Sequence, residues 1–351
     1  MTTKYTLPVF NGSSYEFVEI DSIEVEEHEG PVYDIELEKN HYFSANSIVS
    51  HNCRLRSDMS ELNELNTNLI GGGSTKIGSL GVVTVNFPRL AWQSENEEDF
   101  FDNLRESVDT VAKINNSKRH IIRKRIDKGA LPLYSLGYMD LRQQFMTYGV
   151  NGLNECLDIL GYDILTEEGK NFALKIINVI NEENNKQQKK YKAPFNCEQT
   201  PSENSAIKMA KKDKLLKYND DEYSIYSNQF IPLTTEANLL DRVYLQGVFD
   251  KHFSGGSIMH ANVEQQLETT QQMVDLIDLC TENGVIYWAV NYNLQECENG
   301  HISVAKGETC PTCGGIITYN YTRVVGFLTK VASWAKERRE EDYPNREFYT
   351  V

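Results

Sequence analysis

Ser50-His51-Asn52-Cys53-Arg54-Leu55 is the stretch that decides how the chain divides. An Asn directly before a Cys can cyclise: its side-chain amide nitrogen attacks its own backbone carbonyl and releases the downstream amine, with a neighbour such as His51 assisting the proton transfers. The tripeptide alone carries little weight, because two β-strands ending in a loop would read the same way. The residues before it add more. G-P-V-Y-D-I-E-L-E-K-N-H-Y-F-S-A-N-S-I-V-S (30 to 50) gives an alternating strand, a turn at Lys39-Asn40 and a second apolar run that ends at the scissile bond.

That string resembles the C-terminal splicing blocks of inteins, with Asp34 and His41 in the first block and His51, Asn52 and the acceptor Cys53 in the second. The likeness is good over residues 30 to 53 and loose before them. It implies that residues 1 to 52 are the C-terminal fragment of a split or truncated intein, a small all-β (Hint-type) piece. Such a piece would need a complementary chain to complete its sheet, and its unpaired strand edges would favour that association.

The chain has 351 residues, enough for two or three domains, and its 40% apolar and 25% charged residues are those of a globular protein. A net charge of −16 argues against a surface that coats nucleic acid. The one basic run, K-R-H-I-I-R-K-R (118 to 125), lies in a helical pattern and reads as a solvated helix end with Ile121 and Ile122 turned inward. No stretch has the apolar length to cross a bilayer, the N-terminus lacks a secretory apolar core, and the seven cysteines do not form a disulfide pattern. A cytoplasmic protein is expected.

Beyond Cys53, the glycines of G-G-G-S-T-K-I-G-S-L-G (71 to 81) fit neither nucleotide-loop spacing and read as a flexible loop. G-V-V-T-V-N-F-P-R-L (81 to 90) reads as a buried strand ended by Pro88, with Val82, Thr84 and Asn86 on one face. Asn86 there is costly unless something pairs with it. Helices are expected over 96 to 128, 139 to 161, 167 to 190, from about Ser202, from Thr235 to about Phe253, and over 263 to 283. Strands are expected in F-N-C-E-Q-T-P-S-E (195 to 203), running into the helix from about Ser202, and at 285 to 294. Strands alternating with helices imply an α/β fold with parallel pairing. Cys156 and Cys280 fall on helix patterns and read as core; Cys197 reads as a buried or incidental thiol.

Residues 297 to 315, C-E-N-G-H-I-S-V-A-K-G-E-T-C-P-T-C-G-G, place Cys297, His301, Cys310 and Cys313 in two knuckles. Three thiolates and an imidazole suit tetrahedral zinc, and four filled positions make the site structural rather than catalytic. Unrelated turns with reduced cysteines, or a redox pair at C-P-T-C, are the alternatives. Just after comes Y-N-Y-T-R-V-V-G-F-L (319 to 328), in which Gly326 on local sequence alone would be a bulge or close-packing residue.

Zinc knuckles followed by R-V-V-G-F resemble the glycyl-radical segment of anaerobic (class III) ribonucleotide reductases. C-R-L at 53, G-V-V-T-V-N-F-P-R at 81, G-V-N-G-L-N-E at 149, E-Q-T-P-S-E at 198 and G-G-S-I-M-H at 255 agree in order. The resemblance covers residues 53 to 351 and implies the C-terminal half of a glycyl-radical-type α/β barrel. It implies a radical at Gly326 installed by an S-adenosylmethionine-dependent activase, Cys53 as the thiyl cysteine, and Asn86 as a polar contact to the ribose. It also implies ribonucleoside triphosphates and nucleotide effectors as ligands and a homodimer after joining. The family ordinarily ligates zinc with four cysteines, so His301 is a departure.

Together the two resemblances give domains at 1–52 (intein fragment), 53–294 (half barrel with the finger loop), 295–315 (zinc knuckles) and 316–351 (radical loop and tail). They meet at Cys53, the splicing acceptor that becomes the active-site thiol when a partner chain supplies the N-terminal half. A glycyl radical enzyme of another substrate class, or a non-catalytic zinc-ribbon protein, are the other readings.

Overall fold

The computed structural model describes residues 77–220, 222–304, 307–326 and 328–350, and, as strand backbone only, 6–10, 15–19, 42–45 and 48–51. The chain separates into two compact units, Met1–Arg54 and Leu55–Val351.

In the first unit, β1 (Thr6–Phe10), β2 (Tyr15–Glu19), β3 (Tyr42–Ala45) and β4 (Ile48–His51) form an antiparallel sheet in the order β2-β1-β4-β3. β3 and β4 are a hairpin in which Tyr42 opposes His51 and Ala45 opposes Ile48. The Lys39-Asn40 turn and Asp34, His41, Asn52 and Cys53 lie outside the described residues.

The second unit begins with three parallel strands, β5 (Gly78–Asn86), β6 (Gln144–Asn151) and β7 (Phe195–Gln199). Between them run α1 (Phe87–Trp92), α2 (Glu97–Asp127), α3 (Leu153–Ile159) and α4 (Glu167–Tyr191). Asn96 caps α2 by accepting from the Asp99 N–H at 3.1 Å, and Glu97, Glu98 and Asp99 place negative charge in its first turn, where the helix dipole favours it. Phe100, Leu104, Val108 and Val111 then recur at helical spacing and pack with Phe172, Ile176 and Ile180 of α4 over Tyr148 and Val150 of β6.

Four expectations are corrected here. Residues 139 to 161 are not one helix: β6 occupies the middle, and only α3 is helical after it. The alternation of Met146, Tyr148 and Val150 with Thr147, Gly149 and Asn151 is the strand signal, and Gly152, at φ +75°, turns the chain into α3. β5 starts at Gly78, inside the segment read as a loop, and absorbs a register shift between Ser79 and Gly81. It ends at Asn86, with Pro88 in the first turn of α1, where its missing N–H costs nothing. Ile121 faces solvent at 53% exposure; Arg119 turns inward instead and donates to the Leu141 carbonyl at 2.7 Å.

A second parallel pair, β8 (Met259–Val263) and β9 (Trp288–Tyr292), follows α5 (Ser205–Leu215) and α6 (Leu239–Asp250), and α7 (Thr270–Glu282) joins its two strands. α7 starts seven residues later than the sequence pattern suggests, at a capping box of Thr269 and Gln272, and α6 starts after the Asn238 cap rather than at Thr235. A parallel bridge between Glu198 and Gly256 connects the β7 edge to the segment leading into β8. The chain ends in a small antiparallel sheet of β10 (Leu294–Cys297), β11 (Ile302–Val304), β12 (Ile317–Arg323) and β13 (Leu328–Lys330), ordered β11-β10-β12-β13. Among the described residues no helix is long and apolar enough to cross a membrane.

Candidate functional site

Each parallel sheet has an apolar face against its helices and a polar face turned away from them. On the first sheet Val83, Val85, Tyr148, Val150 and Cys197 join the helix-packed core. The alternate positions are Thr84 opposite Gly149, Asn86 opposite Asn151 and Thr147 opposite Asn196. On the second sheet Met259, Ala261, Trp288 and Val290 pack with Leu276 and Cys280, leaving buried His260, Asn262 and Asn291 on the other side. Gly149 makes the polar face possible, because a Cβ there would collide with the hydroxyls of Thr84 and Thr200 and with Val82.

Asn86 sits on this face at the C-terminal end of β5. Its Oδ1 accepts from the Arg89 N–H at 3.3 Å, capping α1, and its Nδ2 donates to Asp213 Oδ2 at 2.6 Å. Asp213 is fully buried and also accepts from Arg89 Nε at 2.6 Å and the Tyr226 hydroxyl at 2.7 Å. Burial and the Asp213 carboxylate together push the Tyr226 phenol far above its ordinary range, so it stays a donor. The carboxylate therefore fixes which way the Asn86 amide points. Asp213 could have been suspected as the one acid among Lys208, Lys211, Lys212 and Lys214 of α5.

Beside this end of the sheet lies a cavity of about 240 Å³ lined by Glu155, Tyr226, Ser227, Arg338, Asp342 and Arg346, among others. Glu155 accepts from the Ser227 N–H at 2.7 Å, and burial raises its carboxyl to about 7. Burial would raise Asp342 too, but Arg346 and Arg338 flank it and hold it below the usual carboxylate range.

The zinc-type residues come together as the sequence predicts. Cys297 ends β10, and its N–H donates to the His301 carbonyl at 3.0 Å, closing the first knuckle around Gly300 at φ +78°. The second knuckle closes through Cys310 N–H to the Gly315 carbonyl, 2.8 Å, with Gly314 at φ +70°. Tetrahedral zinc with Zn–S near 2.3 Å and Zn–N near 2.0 Å requires S···S of about 3.8 Å and S···N of about 3.5 Å. Cys297 and Cys313 sulfurs are 3.8 Å apart, and His301 Nδ1 lies 3.7 Å from Cys297 Sγ and 3.9 Å from Cys310 Sγ. All four ligand atoms fall within 4.8 Å of one another, so the set fits one zinc ion. The Asn299 amide donates to Cys313 Sγ at 3.4 Å and, with the Gly315 N–H, lowers that thiol, which favours the ligating thiolate.

Gly326 is buried in the connection from β12 to β13, and its carbonyl accepts from Arg323 Nη1 at 2.6 Å. Asn291 of the second sheet's polar face accepts from Thr322 Oγ1 at 3.0 Å and the Arg323 N–H at 3.1 Å. The glycine's connection is thus tied directly to the parallel strands. Neither Asn291 nor Arg323 was singled out from the sequence; two asparagines, Asn291 and Asn293, in the otherwise apolar run W-A-V-N-Y-N-L were the available signal. Cys156, Cys197 and Cys280 are fully buried, and burial raises each thiol, which suits core residues and not a redox cysteine. Cys53 lies outside the described residues.

Parallel strands with a polar face, an appended antiparallel sheet that gathers four potential metal ligands, and a buried glycine connection hooked to those strands make a mixed α/β fold. The profile of the anaerobic ribonucleoside-triphosphate reductases matches residues 1–349, and the chain belongs to that family. The family implies a glycyl radical. The anaerobic ribonucleoside-triphosphate reductase of Haemophilus influenzae is 24% identical over 289 residues, 71% of this chain and 39% of its own length. A solved anaerobic ribonucleotide reductase is 39% identical with a TM-score of 0.72, covering 79% of this chain and 46% of that one. The Thermotoga maritima enzyme, crystallised with dATP and CTP, is 38% identical with a TM-score of 0.67, covering 76% and 45%. The chain spans less than half the length of each.

Proposed function

We propose that the chain is the C-terminal part of an anaerobic ribonucleoside-triphosphate reductase, with Gly326 as the radical-bearing residue and Cys53 as the cysteine that acts on substrate. The observation that carries this reading is the placement of Gly326: buried, in the connection that follows the end of β12 opposite to the four-ligand cluster, and tied by Asn291 to the polar face of the parallel strands. When installed by an activating enzyme, the radical supplies the one-electron oxidising power for abstraction of a ribose hydrogen.

The residues of this chain provide the surroundings for that chemistry. The polar face offers hydrogen bonds to ribose hydroxyls, and Asn86, oriented by Asp213, is the residue proposed to contact them. Cys297, His301, Cys310 and Cys313 would hold a structural zinc that keeps the strands flanking Gly326 in register. The parallel strands would make half of a barrel, completed by an N-terminal half. Ribonucleoside triphosphates and nucleotide effectors would bind the completed enzyme, a cytoplasmic homodimer. The domain limits of 52/53, 294/295 and 315/316 follow from this reading.

We further propose that the first unit is the intein fragment. Supporting this are its all-antiparallel sheet, the β3–β4 hairpin ending at His51, and a division of the chain one residue after Cys53. A complementary chain would deliver its acyl group to the Cys53 thiol. Asn52, assisted by His51, would then cyclise and break the Asn52–Cys53 bond, with Asp34 and His41 serving the earlier steps. Mixing the chain with that partner and weighing the products tests this: a ligated protein lacking residues 1 to 52 is expected, and it should reduce ribonucleoside triphosphates after anaerobic activation. An unligated mixture, with Asn52→Ala behaving identically, would refute the splicing reading and leave the reductase reading to be tested on a directly fused enzyme.

A further inference from the structure

We propose that Arg323 is a positioning residue for Gly326, placing a guanidinium on the glycine's carbonyl oxygen so that spin at its Cα is drawn toward that carbonyl in one fixed geometry. This rests on the reading of Gly326 as the radical-bearing residue.

Arg323 is held at three points. Its N–H donates to Asn291 Oδ1 at 3.1 Å, its carbonyl accepts from Arg346 Nη1 at 2.6 Å, and its own Nη1 donates to the Gly326 carbonyl at 2.6 Å. The holders are themselves fixed. Asn291 Nδ2 donates to Asn262 Oδ1 at 2.7 Å, and Asn262 Nδ2 donates to the Glu347 carbonyl at 3.0 Å. Arg346 is anchored by two bonds to Asp342, Nε to Oδ1 at 2.9 Å and Nη2 to Oδ2 at 2.8 Å. Asn262, Asn291 and Thr322 are at most 1% exposed, so the bonds among these three are shielded from water, while the guanidinium contact to Gly326 is part-buried. Two parallel strands and the C-terminal tail therefore converge on the backbone of one residue, whose side chain ends on one carbonyl oxygen.

The chemistry gives that contact a consequence. A radical at a glycine Cα is stabilised by electron donation from the amide nitrogen and withdrawal into the adjacent carbonyl. A hydrogen bond from a cation strengthens the withdrawing side more than a neutral donor does, and a guanidinium keeps its charge at every working pH. A loop merely packed against the strands would not need a charged donor here.

The test uses the enzyme assembled with its N-terminal half, labelled with glycine carrying carbon-13 at the carbonyl carbon, and activated without oxygen. Arg323→Gln, Arg323→Lys and the unsubstituted enzyme are compared by electron paramagnetic resonance, anaerobic radical half-life and turnover per spin. Arg323→Gln is expected to change the carbonyl carbon-13 coupling and shorten the half-life about tenfold, the difference between a charge-assisted and a neutral hydrogen bond. Arg323→Lys should keep most of both, and KM for the nucleotide should stay put. An unchanged coupling and half-life in Arg323→Gln would overturn the inference. Should that variant fail to accumulate, Asn291→Ala keeps the guanidinium but frees its backbone, and an unbroadened carbonyl coupling there would overturn it equally. If the unsubstituted enzyme shows no glycine-derived signal, the reading of Gly326 fails first, and the inference falls with it.

Discussion

Asn86 and Asp213 lie 127 positions apart in sequence and are joined by a 2.6 Å hydrogen bond from the amide nitrogen to the carboxylate. The same carboxylate carries the Arg89 ion pair and the Tyr226 hydroxyl, so one fully buried acid organises the C-terminal end of β5. Removing it leaves a cation, an amide and a phenol without their acceptor. Asp213→Ala is expected to destabilise the second unit by about 3 kcal/mol, as loss of one partner from a buried pair does. Asp213→Asn should cost less because it keeps the shape. Trp92, with its ring centroid 6.4 Å from that of Tyr226, reports on this corner, and the urea midpoint of its fluorescence checks the prediction.

Glu155 makes stability fall as pH rises. Burial lifts its folded-state pKa from 4.5 to about 7, so the folded protein binds its proton more tightly than the unfolded chain does. The resulting stabilisation is fully present below about pH 4.5 and is lost as pH rises through about 7. The span corresponds to a few kcal/mol at most. Thermal unfolding followed between pH 5 and 8 should show this decline, and Glu155→Gln should flatten the part it contributes.

The metal cluster is expected to hold one zinc per chain. Cys310→Ser should lose it, since Cys310 is buried and its sulfur is 3.9 Å from His301 Nδ1. His301→Cys should retain it, because a thiolate is an equally good fourth ligand. Elemental analysis of the purified proteins decides both outcomes, and a chelator that strips the metal should lower the melting temperature of the unsubstituted protein.

Gly149→Ala tests the close packing of the polar face. A methyl group there would have to displace Thr84, Thr200 and Val82 from around β6. Overpacking of this kind costs about 1–3 kcal/mol, and Thr200→Ala or Val82→Ala in the same chain should recover part of it by removing the atom that clashes. Denaturant unfolding of the single and double variants measures the recovery.

What could be read from sequence followed the range of the interactions. The gathering of Cys297, His301, Cys310 and Cys313 was legible because each knuckle is local and spacing alone restricts it to a few residue types. α4 was legible to within a residue because Thr166 caps it and its apolar positions recur at helical spacing. β6 was misread because F-M-T-Y-G-V-N satisfies both periods once the helical residues after Gly152 are counted with it. What settles it is tertiary, the parallel register with β5 and β7 on either side. Asp213, Asn291 and Arg323 were missed for the same reason: each is defined by a partner far away in sequence, and nothing in its neighbours specifies that partner. Asn86 was an intermediate case, since a polar residue in an apolar strand announced a need without naming who meets it.

The most direct measurement is electron paramagnetic resonance of the anaerobically activated full-length enzyme, prepared with and without carbon-13 at the glycine Cα, alongside Gly326→Ala. The account predicts a doublet that the label broadens and that Gly326→Ala abolishes. A doublet that survives Gly326→Ala, or that the label leaves untouched, would contradict it.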